Sequence, residues 1–86
     1  MSAAVSTVTM YTTTWCGYCV RLKRILDREG MVFDEVNIEQ DETAAERVAR
    51  VNGGNQTVPT LVLADGTALT NPSLDEVKTA LSRMAS

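Results

Sequence analysis

Histidine is absent from this chain of 86 residues, and cysteine occurs only twice. A structural zinc site needs four ligands, which are usually Cys and His side chains. Two cysteines without any histidine do not complete such a site within one chain, so we expect no bound metal. The same absence means that no imidazole is available to activate a nucleophile, so any activation has to come from the backbone.

Long apolar runs and an excess of basic charge are missing as well. No run approaches the roughly 18 residues that a membrane-spanning helix needs, and residues 1–7 have neither the basic residue nor the apolar block of a signal peptide. The net charge of −3 argues against a nucleic-acid partner. We therefore expect a cytoplasmic protein. In that reducing compartment, a close pair of thiols is catalytic or metal-binding rather than a structural disulfide.

The length of the chain allows one small domain. We expect this domain to span residues 1–86, with residues 1–6 frayed, and to be monomeric. Apolar periodicity and turn residues predict seven elements in the order β-α-β-α-β-β-α. The predicted bounds are strand 7–11, helix 17–29 with Gly30 just beyond its end, strand 32–38, helix 42–51, strand 60–64, strand 67–70 and a helix that opens at Pro72-Ser73.

These elements predict an α/β fold in which three helices flank a four-stranded mixed sheet. The first β-α-β unit implies a parallel pair of strands, and the Asp65-Gly66 turn implies an antiparallel hairpin. This order is that of the minimal thioredoxin fold. Ser73 and Glu76 have the spacing of a capping box for the last helix. The second helix has two possible caps, which are Asp41 and a capping box that begins at Thr43.

Both cysteines lie in the segment Trp15-Cys16-Gly17-Tyr18-Cys19, between a predicted strand and the helix that follows it. The attacking species in thiol chemistry is the thiolate, and the N-terminus of a helix favours an anion. We therefore predict that Cys16 is the nucleophile. Cys19 lies within the first helical turn, so it can reach Cys16, and we expect it to be the more buried, resolving thiol.

A proline opens the third predicted strand, in the segment Thr57-Val58-Pro59. It has two interpretations: an ordinary proline at the start of a strand, or a cis-proline loop that lies beside Cys16 and offers the backbone of Val58 to an incoming thiol or peptide. The dithiol upstream favours the second. We expect Trp15 and Tyr18 to be exposed beside the nucleophile, and Gly17 to allow a substrate to approach closely.

Over residues 7–84, these two segments and the order of elements resemble the glutaredoxin family. The resemblance implies that Cys16 is the nucleophile and that Cys19 resolves the disulfide. It also implies that Thr57, Val58 and Pro59 hold a small thiol through backbone hydrogen bonds. The chain departs from the family at Thr13, where a lysine is common, and at residues 70–73, where a Gly-Gly-x-Asp segment is usual.

Within that family, the chain resembles the mycoredoxins, a subfamily that uses mycothiol in place of glutathione, better than ordinary glutaredoxins. The resemblance implies reduction of protein–mycothiol mixed disulfides, with recycling by mycothiol and an NADPH-dependent mycothiol disulfide reductase. Mycothiol ends in a neutral sugar–inositol group, and we expect Asn71 and Ser73, together with Thr13, to contact its hydroxyls. The matching segments are residues 15–19, 51–55, 57–60, 64–66 and 69–73.

Three other interpretations of the dithiol stay open on the sequence alone. One is a thioredoxin-like or glutaredoxin-like reductant that needs both cysteines and is supplied by a flavoprotein reductase or by glutathione. Another is a carrier that shares a [2Fe–2S] cluster between two monomers. The third is a binding module in which the dithiol is inert. Replacement of Cys19 by serine separates the first interpretation from a monothiol enzyme.

Overall fold

A computed structural model describes residues 8–85 of the chain, with side chains described for residues 8–83. The order β-α-β-α-β-β-α is confirmed. The predicted frayed segment 1–6 lies outside the described residues. None of the described helices is long and apolar enough to cross a membrane. The elements are β1 Val8–Thr12, α1 Gly17–Arg28, β2 Asp34–Asn37, α2 Glu42–Val51, β3 Thr60–Leu63, β4 Ala68–Thr70 and α3 Leu74–Ala85.

The four strands form one mixed sheet in the order β2-β1-β3-β4. β1 pairs in parallel with β2, and this connection requires the crossover that α1 provides. β1 pairs antiparallel with β3, and β3 pairs antiparallel with β4 across the predicted turn. The predicted fold class, a mixed sheet with three helices in the thioredoxin fold, is therefore confirmed.

Alternation along the central strands divides the core between the two faces of the sheet. On β1, Met10 points to one face and Tyr11 to the other. The first face packs against α1 and α3 and contains Val8, Met10, Leu22, Leu26, Leu61, Leu63 and Val77. The second packs against α2 and contains Tyr11, Ile38, Ala44, Ala45 and Val48.

The predicted second strand is wrong at both ends, because β2 covers only Asp34–Asn37. This strand lies at the edge of the sheet, so its length is set by its single partner, and β1 pairs with it only over residues 9–12. Val32, which the prediction included, is 64% exposed. Among the described residues, the other predicted ends match the observed ones or differ by one residue. Both ends of α2 match, and α1 ends at Arg28 with Gly30 just beyond it at φ 72°.

The helix caps resolve the two possibilities left by the sequence. Asp41 is the N-cap of α2, and its Oδ1 accepts the N–H of Ala44 at 3.1 Å; a cap at Thr43 is therefore wrong. At α3 the predicted capping box is confirmed: the Ser73 N–H donates to Glu76 Oε1 at 3.0 Å, and the Glu76 N–H donates to Ser73 Oγ at 3.2 Å.

Candidate active site

Cys16 is the N-cap of α1, reached from β1 by a loop of three residues. Its backbone is extended, with φ −83° and ψ 108°, and its Sγ accepts the backbone N–H of Cys19 at 3.0 Å. A sulfur at this position receives a hydrogen bond and also lies at the positive end of the helix dipole. The backbone therefore supplies a hydrogen-bond donor to this sulfur in a chain that has no histidine.

Cys19 lies in a different environment, although it is only three residues away. Its exposed fraction is 1%, against 5% for Cys16, so it is the more buried of the two, as expected. Burial, together with its hydrogen bond to Cys16, raises the pKa of Cys19 to about 12. Cys19 therefore stays a thiol near neutral pH and is a poor nucleophile there. Both cysteines are free, and the described side chains contain no cluster of three or more His, Cys, Asp or Glu that is placed to hold a metal ion.

The Val58–Pro59 peptide bond is cis, as the second interpretation of the proline predicts. The thiol of Cys16 donates a weak hydrogen bond to the Val58 carbonyl, with Sγ and O 3.9 Å apart. Pro59 is buried and Thr57 is exposed. The dithiol and the proline segment, 42 residues apart in sequence, therefore meet at one place.

Trp15 and Tyr18 are 74% and 64% exposed beside the dithiol, as expected from the sequence. A side chain added at Gly17 would meet nothing within 4 Å, so the surface between the cysteines is open. These three residues therefore form an exposed surface beside Cys16, which is itself only 5% exposed.

Glu39 holds Trp15 in place, and reasoning from the sequence missed it. Its Oε1 accepts the Thr14 N–H at 2.9 Å, and its Oε2 accepts the indole N–H of Trp15 at 3.1 Å. The bond from the Thr14 backbone, with smaller contributions from the side chains of Thr14 and then Trp15, holds the pKa of Glu39 below its usual 4.5. The available signal was positional: Glu39 follows β2, and the ends of parallel strands lie at the same edge of the sheet.

A groove of about 420 Å³ lies between α1 and the start of α3. It brings Asn71 and Ser73, both predicted from the sequence, alongside Tyr18. Its lining carries one cation, Arg21, and one anion, Glu76. Because the Glu76 carboxylate already accepts the Ser73 N–H, the chain's own anion occupies the N-terminus of α3.

The expectation that Thr13 contacts a ligand is wrong. Its side chain is buried, and its Oγ1 has no hydrogen-bond partner among the described residues. Thr13 directly follows β1, and its carbonyl accepts the Cys16 N–H at 3.5 Å. Its hydroxyl is therefore enclosed by the protein, where a ligand in the groove does not reach it.

Comparison with known proteins places this site in a family. The family model for glutaredoxins matches residues 8–68. A Mycobacterium tuberculosis protein named as a glutaredoxin is 58% identical over 78 residues, which cover 91% of this chain and 93% of that protein. Mycoredoxin 1 of Corynebacterium glutamicum is 44% identical over 81 residues, covering 94% of this chain and all of the relative.

A solved structure agrees with these relatives. The crystal structure of methanoredoxin from Methanosarcina acetivorans matches with a TM-score of 0.76 and 26% identity, covering 88% of this chain and 84% of that one. The sequence relatives, the fold and the dithiol at the start of α1 all lead to the same assignment. The chain belongs to the glutaredoxin family and is a mycoredoxin-like thiol–disulfide oxidoreductase.

Proposed function

We propose that this protein reduces mixed disulfides between mycothiol and proteins, with Cys16 as the nucleophile. The observation that carries the proposal is the position of Cys16, whose Sγ accepts the Cys19 N–H at 3.0 Å at the start of α1 and lies beside the Val58 carbonyl. The likeness to a protein named mycoredoxin supports mycothiol as the small thiol.

The reaction proceeds by two thiol–disulfide exchanges. The Cys16 thiolate attacks the mycothiol sulfur of the mixed disulfide, the bond to the protein sulfur breaks, and the protein leaves as a thiolate. A second mycothiol thiolate then attacks the mycothiol sulfur of the Cys16 adduct, which forms mycothiol disulfide and releases the Cys16 thiolate. An NADPH-dependent mycothiol disulfide reductase returns two mycothiol molecules, so NADPH supplies the electrons.

Cys19 takes part only in a side branch of this reaction. Its thiolate would attack Cys16 in the adduct, release mycothiol and leave a Cys16–Cys19 disulfide. Burial is the largest cause of the raised pKa of Cys19 and does not depend on the Cys16 thiol, so the Cys19 thiolate is scarce near neutral pH in the adduct as well. The Cys16 adduct therefore persists long enough for a second mycothiol to reach it, and this favours the monothiol route.

The cysteine moiety of mycothiol binds beside the cis-proline loop. Val58 offers its backbone groups at the same place as the Cys16 sulfur, and its neighbours Thr57 and Pro59 position it, Pro59 through the cis peptide bond. The exposed rings of Trp15 and Tyr18 border this place and contact the substrate. Gly17 adds no side chain that would block a mixed disulfide from reaching Cys16.

The sugar–inositol end of mycothiol lies in the groove between α1 and α3, against Asn71 and Ser73. The lining of the groove has one basic and one acidic side chain and therefore no net charge, which is compatible with a neutral ligand rich in hydroxyls. A carboxylate at the N-terminus of α3 would displace the Glu76 carboxylate from the Ser73 N–H. The groove thus supports mycothiol as the small thiol. We further propose that the protein acts in the cytoplasm as a monomer.

Serine variants of the two cysteines test the mechanism. We expect Cys16→Ser to abolish release of mycothiol from a mixed-disulfide protein, whereas Cys19→Ser keeps most of the activity because no step of the main route uses Cys19. The measurement is NADPH oxidation coupled through mycothiol and its reductase. Loss of activity in Cys19→Ser would instead favour a dithiol reductant, and activity without Cys16 would refute the mechanism.

Asn71→Gly tests the groove. Asn71 has φ 44°, a conformation that glycine adopts without strain, so this change removes the amide and leaves the backbone bond from the Asn71 N–H to the Pro59 carbonyl in place. We expect KM for mycothiol to rise about three- to tenfold, the loss expected for one hydrogen bond, with little change in kcat. An unchanged KM would remove Asn71 from the binding site.

A further inference from the structure

A chain of three side-chain hydrogen bonds ends at the carbonyl of Thr57. The Thr70 hydroxyl donates to Asn52 Oδ1 at 2.6 Å, and Asn52 Nδ2 donates to the Thr60 hydroxyl oxygen at 3.1 Å. The Thr60 hydroxyl in turn donates to the Thr57 carbonyl at 2.7 Å. Each hydroxyl has one proton and donates it to the next acceptor, so all three hydrogen bonds point in the same direction, toward Thr57.

The residues that form these hydrogen bonds belong to three elements. Asn52 caps the C-terminus of α2 and is half-buried, while its N–H bonds the carbonyls of Val48 and Ala49. Thr60 begins β3 and is completely buried, and its register partner on β4 is Thr70. The segment just before Pro59 is thereby tied to one helix and two strands.

These three hydrogen bonds fix the plane of one peptide unit. The peptide between Thr57 and Val58 is trans, so its C=O and N–H point in opposite directions. Because the Thr60 hydroxyl holds the Thr57 carbonyl on the protein side, the Val58 N–H faces away from Thr60. The carbonyl of Val58 belongs to the next peptide unit, and its oxygen lies 3.9 Å from Cys16 Sγ.

We infer that Asn52 is a positioning residue, which acts through Thr60 to orient the Val58 backbone groups toward the cysteine moiety of a thiol bound at Cys16. The identity of the thiol in this inference rests on the proposed function. The orientation of the Val58 backbone does not, because mycothiol and glutathione both present a cysteine. Asn52 touches neither cysteine and carries no reacting atom.

The test compares four variants with the wild type. Asn52→Ala removes the first two of the three bonds, Thr60→Val removes the donor to Thr57 at nearly constant volume, and Thr60→Ser keeps the hydroxyl. Asn55→Ala is the matched control, since Asn55 lies in the same connection, is exposed, and among the described residues its side chain bonds only the Asn52 carbonyl, at 3.4 Å. For each variant, KM and kcat are measured with mycothiol and with glutathione, and the rate of Cys16 alkylation by iodoacetamide is recorded.

We expect Asn52→Ala and Thr60→Val to raise KM for the thiol about three- to tenfold, with kcat and the alkylation rate within about twofold of wild type. Thr60→Ser and Asn55→Ala should resemble wild type. An unchanged KM in Asn52→Ala would overturn the inference, and so would a joint fall of kcat and alkylation without a rise in KM. Circular dichroism shows whether Thr60→Val folds. If that variant does not fold, KM of Asn52→Ala alone decides whether the inference holds.

Failure of the proposed function gives a different result. If the wild type uses glutathione and not mycothiol, the thiol assignment is wrong, and the inference is judged by KM for glutathione. If the wild type uses neither, the Val58 amide resonance in ¹⁵N–¹H NMR decides. Its shift must then move in Asn52→Ala and Thr60→Val but stay in place in Thr60→Ser and Asn55→Ala, and a resonance that stays in place in all four refutes the inference.

Discussion

At the scale of single residues, two cysteines of one motif differ because their surroundings differ. Cys16 accepts a backbone N–H at the start of a helix, whereas Cys19 is buried in the first turn and its pKa is raised to about 12. The sequence predicts this difference, since the spacing puts the first cysteine at the cap and the second inside the helix. It does not predict Glu39, because the contact with Trp15 spans 24 residues and depends on how β1 and β2 pair.

The contact between Glu39 and Trp15 predicts a pH-dependent change at the active site. Because the pKa of Glu39 is lowered on folding, its contribution to stability is complete above about pH 4.5 and is lost as the pH falls through the folded pKa. Protonation weakens the charge-assisted bond to the indole. We expect the fluorescence anisotropy of Trp15, the single tryptophan, to be constant from pH 7 to about 4.5 and to fall below it.

Two glutamate variants control this titration. Glu39→Gln should show low anisotropy already at pH 7, with no further step on acidification. Glu46→Gln, on the exposed face of α2, should titrate like the wild type. A step in Glu39→Gln as large as that of the wild type would mean that another group is responsible.

At the scale of the elements, local signals predicted where helices begin and end better than they predicted strands. The caps of α2 and α3 use side chains within one turn of the helix, so the chain nearby contains the information. The length of β2 depends on a partner far away in the sequence. The groove likewise combines α1 with the start of α3, and its residues were predicted only through resemblance to a family.

The cap of α2 provides a stability test at this scale. We expect Asp41→Ala to lower the free energy of unfolding by about 0.5–2 kcal/mol, because the Ala44 N–H loses its partner. Thr43→Ala should change it by less than about 0.5 kcal/mol, as for an exposed surface site. Urea denaturation measures both, and a larger cost for Thr43→Ala would show that the other capping possibility is the correct one.

At the scale of the whole molecule, the strand order brings the active-site segments together. Tyr11, one residue before the end of β1, pairs with Thr60 at the start of β3, and Thr60 also pairs with Thr70 at the end of β4. One end of the sheet therefore carries the dithiol loop, the cis-proline loop and Asn71. The sequence predicted the parallel pair and the hairpin from local rules, but no local rule predicts the pairing of β1 with β3, which joins them.

The central claim is that Cys16 reduces mixed disulfides with mycothiol as its small thiol. The most direct test follows NADPH oxidation on a mixed-disulfide substrate in two parallel assays, one with mycothiol and mycothiol disulfide reductase and one with glutathione and glutathione reductase. We predict turnover with mycothiol and none with glutathione. Turnover with glutathione alone would contradict the thiol assignment, and turnover with neither would contradict the monothiol account and favour a reductant that needs both cysteines.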